Sequence, residues 1–406
     1  MTPGDGGTSR GAAPARGRGR RAASFGRGYR SRNPLVLLVA ILLLAPALLG
    51  FESYFASGAW SDVPLRYWLR NSSDDWTYVS WTVAHNRRHP PSVPSVYVLG
   101  GSMGRETTVS DASLARRVRQ AGGPRIAAFN VCSIMQNYGE SLAIADNVPD
   151  TPTLLIVGVN PGRFTRPPEE SEREAGGREL LLDSPFLRHY VNEATPFYRD
   201  HYTILPGVFG FLASYAQYHK NELLKGRLPT RTYRQHRYDD RPRRSEEKKR
   251  EMVRRWNRRR APLFRKYLGY NLAMLGQLLE RARQRGVDVI LMELPFNWDV
   301  IGTDLDWVVA AYQPKVQALA DAYGVPYVDF TRDLPLTTAD YWDLMHLLKP
   351  GREIWEQRLA EEIAAFYARR GEGAASGDVA LERIPRTGSG KAIRAELRRL
   401  LEEAAG

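Results

Sequence analysis

Asp343 and His346 stand three residues apart in the run Tyr341-Trp342-Asp343-Leu344-Met345-His346-Leu347. On a single turn both side chains can face the same way, so that the carboxylate fixes the tautomer of the imidazole and stabilises its protonated form. A hydroxyl that such a pair would activate lies far upstream, in Val98-Leu99-Gly100-Gly101-Ser102-Met103-Gly104-Arg105-Glu106. The two glycines before Ser102 let the backbone turn sharply after an apolar run and present the hydroxyl at a strand end. A serine hydroxyl is a poor nucleophile until a neighbouring base takes its proton, and His346 is the candidate base. Asn160 closes Ile156-Val157-Gly158-Val159-Asn160, and its amide can donate to a developing oxyanion. The N–H of Ser102 is a second donor for the same oxyanion hole. These residue types predict acyl transfer or ester cleavage through a covalent acyl-serine. Singly, each has an ordinary role as a turn serine, a capping Asp, a surface His or a turn Asn before Pro161. Their common placement at strand ends favours the catalytic reading.

The strands that must position them are legible as short apolar runs at 96–99, 126–129, 154–157, 287–291 and 327–330. Runs of this length, flanked by Gly and Pro, fit strands buried on both faces of a parallel sheet. Helix-like segments between most of them predict an α/β fold: a three-layer, doubly wound parallel sheet of about five strands, with sites at the strand carboxyl ends. The gap 162–285 is too long for one crossover, so it holds a helical insertion, basic at about 165–270. Residues 270–285 read as the amphipathic helix feeding the fourth strand, and 353–368 as a closing helix. The predicted division is a disordered tail 1–33, a transmembrane helix 34–55, an irregular lead-in 56–93, a domain 94–370, and a linker with a basic tail 371–406.

The chain has 406 residues, is 43% hydrophobic, and has enough apolar content for one large core. Its single cysteine, Cys132, rules out an intramolecular disulfide. The net charge of +13 is uneven: +7 in residues 1–33, +13 in 225–266 and −7 in the rest. Two basic appendages on a mildly acidic body predict local contacts with anionic material rather than a nucleic-acid surface. The run Arg254-Arg255-Trp256-Asn257-Arg258-Arg259-Arg260 would lie on lipid headgroups, grip an anionic polymer, or form a solvated helical face.

Residues 34–51 carry no charged side chain and follow a cluster of arginines. Length and the positive-inside bias predict a signal anchor with a cytoplasmic N-terminus and an extracytoplasmic body. A cleaved signal peptide competes, because Ala45-Pro46-Ala47 and Ala56-Ser57-Gly58-Ala59 are small enough for processing. The remaining histidines, His85, His89, His189, His201, His219 and His236, lack metal-ligand spacing, so no metal and no cofactor is expected.

Gly100-Gly101-Ser102 after a strand, Gly158-Val159-Asn160, and Asp343-Leu344-Met345-His346-Leu347 with Gly351 beyond resemble the SGNH (GDSL-like) hydrolase superfamily over about residues 93–368. The resemblance implies a flavodoxin-like SGNH fold, Ser102 as nucleophile, Asn160 as oxyanion donor, His346 as base and Asp343 as its partner. Many members place Asp before the serine, where Gly101 stands, and Asp after the asparagine, where Pro161 stands. Their second block supplies a Gly N–H, whereas Asn130-Val131-Cys132-Ser133-Ile134-Met135 has no glycine, which leaves that donor unplaced. A basic tail, one anchor and such a domain also resemble envelope proteins that work beside membrane-bound O-acyltransferases. That likeness implies a multipass acyltransferase partner and acyl groups placed on an envelope polysaccharide. The competing functions are an esterase or lipase for soluble esters, and a catalytically inactive scaffold. Residues 383–398 are similar to the last motif of acyl-adenylating ligases, but no ligase body accompanies them and no catalysis is assigned there.

Overall fold

The computed structural model describes residues 34–173, 182, 184 and 205–375. The tail 1–33, the ligase-like motif 383–398 and part of the insertion lie outside the described residues. The chain divides into two compact units, Met1–Ser53 and Tyr54–Gly406. Helix α1 (Pro34–Ala56) fills the described part of the first and ends in the second. Its stretch Leu38–Ala56, of mean hydropathy 1.9, is long and apolar enough to cross a bilayer. Pro46 sits inside α1 without ending it.

The second unit is an α/β body built on a five-stranded, all-parallel sheet. Its strands are β1 (Ser95–Leu99), β2 (Ala127–Asn130), β3 (Thr153–Val159), β4 (Asp288–Glu293) and β5 (Tyr327–Val328), in the order β2-β1-β3-β4-β5. Every residue of β1 and β3 is buried, which is why these strands read as continuous apolar runs rather than alternating ones. Leu99 pairs with Val157, and Val159 with Glu293, so the ends of β1, β3 and β4 lie side by side. The chain leaves β1 toward β2 and later returns past it to β3. The point where strand order reverses therefore lies between β1 and β3, where ligands bind in open α/β sheets.

Among the described residues there are thirteen helices. After α2 (Asp75–Arg88) come α3 (Ser102–Arg105) and α4 (Asp111–Gln120), both between β1 and β2. They are followed by α5 (Tyr138–Asn147), α6 (Pro168–Arg173), α7 (Leu205–Tyr218), α8 (Lys220–Leu223), α9 (Glu246–Arg259) and α10 (Ala261–Gln284). The last are α11 (Trp298–Ile301), α12 (Asp306–Tyr323) and α13 (Lys349–Ala375). Helix α4 packs against α13, whereas α5 and α12 both pack against α10. Two groups are what right-handed crossovers require, because β1→β2 runs opposite to the later connections.

Several boundaries differ from the sequence reading. The lead-in is not irregular throughout, because 75–88 form α2. Its Asp74 cap accepts from Thr77 N–H, and it buries Thr77, Ser80, Thr82 and Asn86 together with Val79 and Val83, which hides the apolar periodicity. Strand β5 stops at Val328 rather than 330, because Asp329 turns to accept from the N–H and hydroxyl of Thr331. Helix α10 begins at Ala261 rather than 270, with Pro262 in its first turn, where proline costs no hydrogen bond. Helix α13 begins at Lys349 and runs to Ala375, through the start of the expected linker.

Candidate functional site

Ser102 is the first residue of α3, directly beyond β1 and the turn at Gly100 and Gly101. A side chain at Gly104 would come within 2.7 Å of Cys132 Sγ, so only glycine lets α3 sit this close to the end of β2. Asn130, the last residue of β2, ties the two together by donating from Nδ2 to the Gly104 carbonyl at 3.0 Å and to Thr108 Oγ1 at 2.8 Å. On the other side, residues 340–348 form a tight loop. Tyr341 bridges Leu347, Trp342 N–H donates to the His346 carbonyl at 2.9 Å, and Leu348 N–H to the Asp340 carbonyl at 2.8 Å. A Cβ at Gly351 would meet the Asp340 carbonyl at 2.9 Å, so α13 starts where only glycine fits against this loop.

The two segments, 244 residues apart in sequence, meet in one hydrogen-bonded chain. Ser102 Oγ lies 2.9 Å from His346 Nε2, and His346 Nδ1 lies 2.9 and 3.0 Å from Asp343 Oδ1 and Oδ2. Asp343 Oδ1 also accepts from the N–H groups of Met345 and His346, at 2.9 and 3.0 Å. A carboxylate only accepts, so Nδ1 carries the ring proton and Nε2 is left to accept from the serine. Burial pushes the Asp343 carboxyl up. The His346 ring and the two backbone N–H groups outweigh it and hold the carboxyl below its ordinary range.

Asn160 follows β3 and caps the 3-10 turn Pro161–Thr165. Its Oδ1 accepts from Arg163 N–H at 3.2 Å, and its Nδ2 makes no hydrogen bond among the described residues. The amide is thereby turned so that its donor is unspent. Arg163 itself was not singled out by sequence. Its guanidinium is buried, donates to the Gly158 carbonyl and Ser141 Oγ (both 2.6 Å), and lies 3.9 Å over the Tyr138 ring.

The glycine-free stretch after β2 takes an unexpected form. Met135 has φ 61°, the only positive φ on a non-glycine among the described residues. This left-handed conformation is one glycine adopts freely and a methionine rarely does. Ser133 N–H is spent on the Gly100 carbonyl and Ile134 N–H on Asp75 Oδ2, whereas Met135 N–H makes no hydrogen bond among the described residues. No residue-type signal could have pointed to Met135, because the signal is conformational.

The insertion supplies a further part that sequence reasoning missed. The Tyr238 ring packs 4.5 Å from the His346 ring and stacks 4.6 Å from Trp342. Trp342 Nε1 donates to the Pro242 carbonyl at 3.0 Å, and Arg244 lies over the Trp342 ring at 4.4 Å. Beneath this strap is a buried ionic cluster. Arg105 pairs with Asp75 (2.8 Å) and Glu106 (3.1 Å), and Glu106 with His236 and Arg352 (both 3.0 Å). Arg352 also pairs with Asp239 at 2.5 Å. Tyr233 and Arg237 both bond Asp75. Burial raises the Glu106 carboxyl, but His236, Arg105 and Arg352 together hold it below its ordinary range. Lys249 of the basic helix α9 is not solvated. Its Nζ donates to the Thr338 carbonyl and hydroxyl at 2.8 and 2.9 Å, beside the Asp343 loop. The basic insertion thus turns several side chains inward and is not wholly a solvated face.

Among the described residues no three His, Cys, Asp or Glu side chains gather to hold a metal ion. The molecule is therefore an open parallel α/β body with a Ser–His–Asp hydrogen-bonded chain at the carboxyl edge of its sheet. No family model matches the sequence, and no curated protein matches it.

Proposed function

We propose that this chain is a membrane-anchored, extracytoplasmic serine O-acyltransferase or esterase of the SGNH type. Its substrates would be acetyl-like O-acyl groups of a cell-envelope polysaccharide. The observation that carries the reading is the unbroken chain from Ser102 Oγ through His346 to Asp343. In the first half-reaction Ser102 Oγ bonds to the acyl carbonyl carbon while His346 Nε2 takes the serine proton. The tetrahedral oxyanion collapses, the donor's oxygen leaves, and His346 returns the proton to it. In the second, His346 takes the proton of an acceptor hydroxyl, a sugar for transfer or water for hydrolysis; that oxygen bonds to the acyl carbon, the bond to Ser102 Oγ breaks, and His346 returns the proton to Oγ. The N–H of Ser102 and the amide of Asn160 are the oxyanion donors in this mechanism, and Asp343 stabilises the imidazolium in both halves.

The apolar helix α1, preceded by arginines, supports an anchor with a cytoplasmic N-terminus. The proposed partner is a multipass membrane acyltransferase that delivers the acyl group across the bilayer. The test is intact-mass and peptide mass spectrometry of the full chain after exposure to an activated acetyl ester. Ser102 should gain one acetyl group, and Ser102→Ala should gain none. Slow turnover of a generic aryl ester, accelerated by a polysaccharide acceptor, is expected; rapid turnover without one would instead identify an esterase for soluble substrates. A Ser102 that takes up neither acetyl nor a fluorophosphonate would reduce the domain to a scaffold.

A further inference from the structure

Helix α7 has no charged residue in its 14 positions, LPGVFGFLASYAQY. One face is committed to the body. Val208 and Phe211 are buried, Tyr215 Oη donates to the Tyr67 carbonyl at 2.7 Å, and His219 Nε2 lies 3.0 Å from the Leu69 carbonyl. A helix on a water-facing surface puts polar side chains on the opposite face. Here that face carries Phe209 (48% exposed), Gly210, Ala213, Ala216 and a single polar residue, Gln217, while Tyr218 (60% exposed) stands at the helix end on the side of Phe211. Helix α8 is polar apart from Leu223 (41% exposed), and the segment beyond it exposes Leu224 (76%) and Leu228 (78%). Lys220, Lys225 and Arg227 are exposed among these residues. Isolated exposed leucines need no explanation, but an uncharged helix followed at once by several exposed leucines flanked by Lys and Arg has the composition of a segment that lies in a bilayer interface.

The position of α7 in the fold says which surface it meets. Phe55 lies at the end of the apolar stretch Leu38–Ala56. Its ring packs edge-on against Trp68 at 6.1 Å, and Trp68 lies 6.3 Å from Phe211 of α7. One intervening ring therefore ties α7 to the end of the candidate membrane span. Trp60, fully buried, packs in the same cluster 5.5 Å from Trp68, so the link is part of the core of the body.

We propose that α7, α8 and the turn to Leu228 form a lipid-facing pad. It lies in the headgroup–acyl boundary of the leaflet from which α1 emerges, with Lys220, Lys225 and Arg227 directed to anionic headgroups. This rests on the membrane-anchor reading above. The pad fixes the height of the Ser102 site over the membrane, so that acyl groups and acceptors are met at the bilayer surface rather than at the end of a free tether.

The test uses the full chain reconstituted in phosphatidylcholine vesicles containing phosphatidylglycerol. Phe209→Cys, Leu224→Cys, Leu42→Cys and Gln317→Cys each carry an environment-sensitive fluorophore, and buried Cys132 stays unlabelled. All four positions are exposed, and only variants whose thermal midpoints match the parent chain are labelled. Lipids with a nitroxide near the headgroup should quench labels at 209 and 224 several-fold more than the label at 317. Lipids with a nitroxide at the chain end should quench position 42 most. Quenching at 42 but none at 209 and 224 above the level at 317 overturns the pad and leaves the anchor standing. Absence of quenching at 42 refutes the anchor and the pad with it. Unquenched labels at 209 and 224 that crosslink to a second copy would show that protein covers this face and also overturn the proposal.

Discussion

Asp343→Asn isolates the electrostatic part of the candidate site with little change in shape. Oδ1 is pinned by two backbone donors, Met345 N–H at 2.9 Å and His346 N–H at 3.0 Å. In the variant the amide oxygen must stay on those donors, because the flipped amide would set N–H against N–H. Its NH2 group then faces His346 Nδ1, which must give up its proton to accept. The ring proton moves to Nε2, and Nε2 now donates toward Ser102 Oγ, 2.9 Å away, instead of accepting from it. The serine has no base, and the imidazolium has lost its counter-charge. The equivalent change in a serine protease, the worked case for this triad, lowers turnover about 10⁴-fold. At 1.36 kcal/mol per factor of ten, that is a barrier raised by about 5 kcal/mol. The fold should be nearly indifferent, because both backbone bonds survive. A loss of about 1 kcal/mol would move the thermal midpoint of a body this size by roughly 2–4 °C or less. The assay is the rate of Ser102 modification by an activated acetyl ester near neutral pH, read by stopped flow and intact mass. A rate within tenfold of the parent chain, with the midpoint unchanged, would refute the assigned proton relay.

The remaining predictions concern the supports of the site. Gly104→Ala would place Cβ 2.7 Å from Cys132 Sγ and should destabilise by about 1–3 kcal/mol through overpacking; adding Cys132→Ala should restore most of the midpoint seen by thermal unfolding. Tyr238→Ala removes the ring against His346 and should slow Ser102 acylation up to about tenfold, the kinetic equivalent of a ring contact of 0.5–1.5 kcal/mol; Tyr238→Phe should stay near the parent rate. Burial raises the carboxyl of Glu293 to about 8, against the hydrogen bonds of Tyr312 and Tyr327. Its folded pKa is the higher one, so the unfolded chain releases this proton first, and its contribution to stability is lost as pH rises from about 4.3 toward about 8. Chemical denaturation across that window should show a decline in the parent chain that is flattened in Glu293→Gln.

The sheet was legible because fully buried parallel strands leave unbroken apolar runs, as in Val96–Leu99 of β1 and Leu154–Val157 of β3. Strand ends were less so, because Asn130 and Asp329 end strands by side-chain bonds that no hydropathy pattern encodes. Ser102, His346 and Asp343 could be named and linked from residue types, but the tight loop 340–348 that aims His346 at Ser102 could not. Helix α2 was hidden because its buried face carries Thr, Ser and Asn. Met135 was hidden because a strained φ leaves no mark in composition. Glu106 stood in plain view beside Arg105 without a role, because its partners His236 and Arg352 are 130 and 246 residues away.

That cluster changes what the insertion is. Glu106 and Asp75 are almost fully enclosed, and their counter-charges come from Arg105, the insertion and α13. Removing one partner of a buried pair costs about 3–5 kcal/mol, because the charge left behind stays desolvated. Without His236, Arg237 and Asp239, Glu106 would lose one hydrogen-bond partner, Asp75 one counter-charge and Arg352 one acceptor. The same segment places Tyr238 on His346 and, through Arg244 and Pro242, clasps Trp342. One stretch of chain thus both neutralises the support beneath Ser102 and walls the imidazole. Its inward residues are committed to these bonds, whereas Arg241 and Arg243 of the same stretch are exposed. In the proposed acyl transfer, selectivity among acceptors is expected to lie with the exposed arginines of this strap, not with the cluster under it.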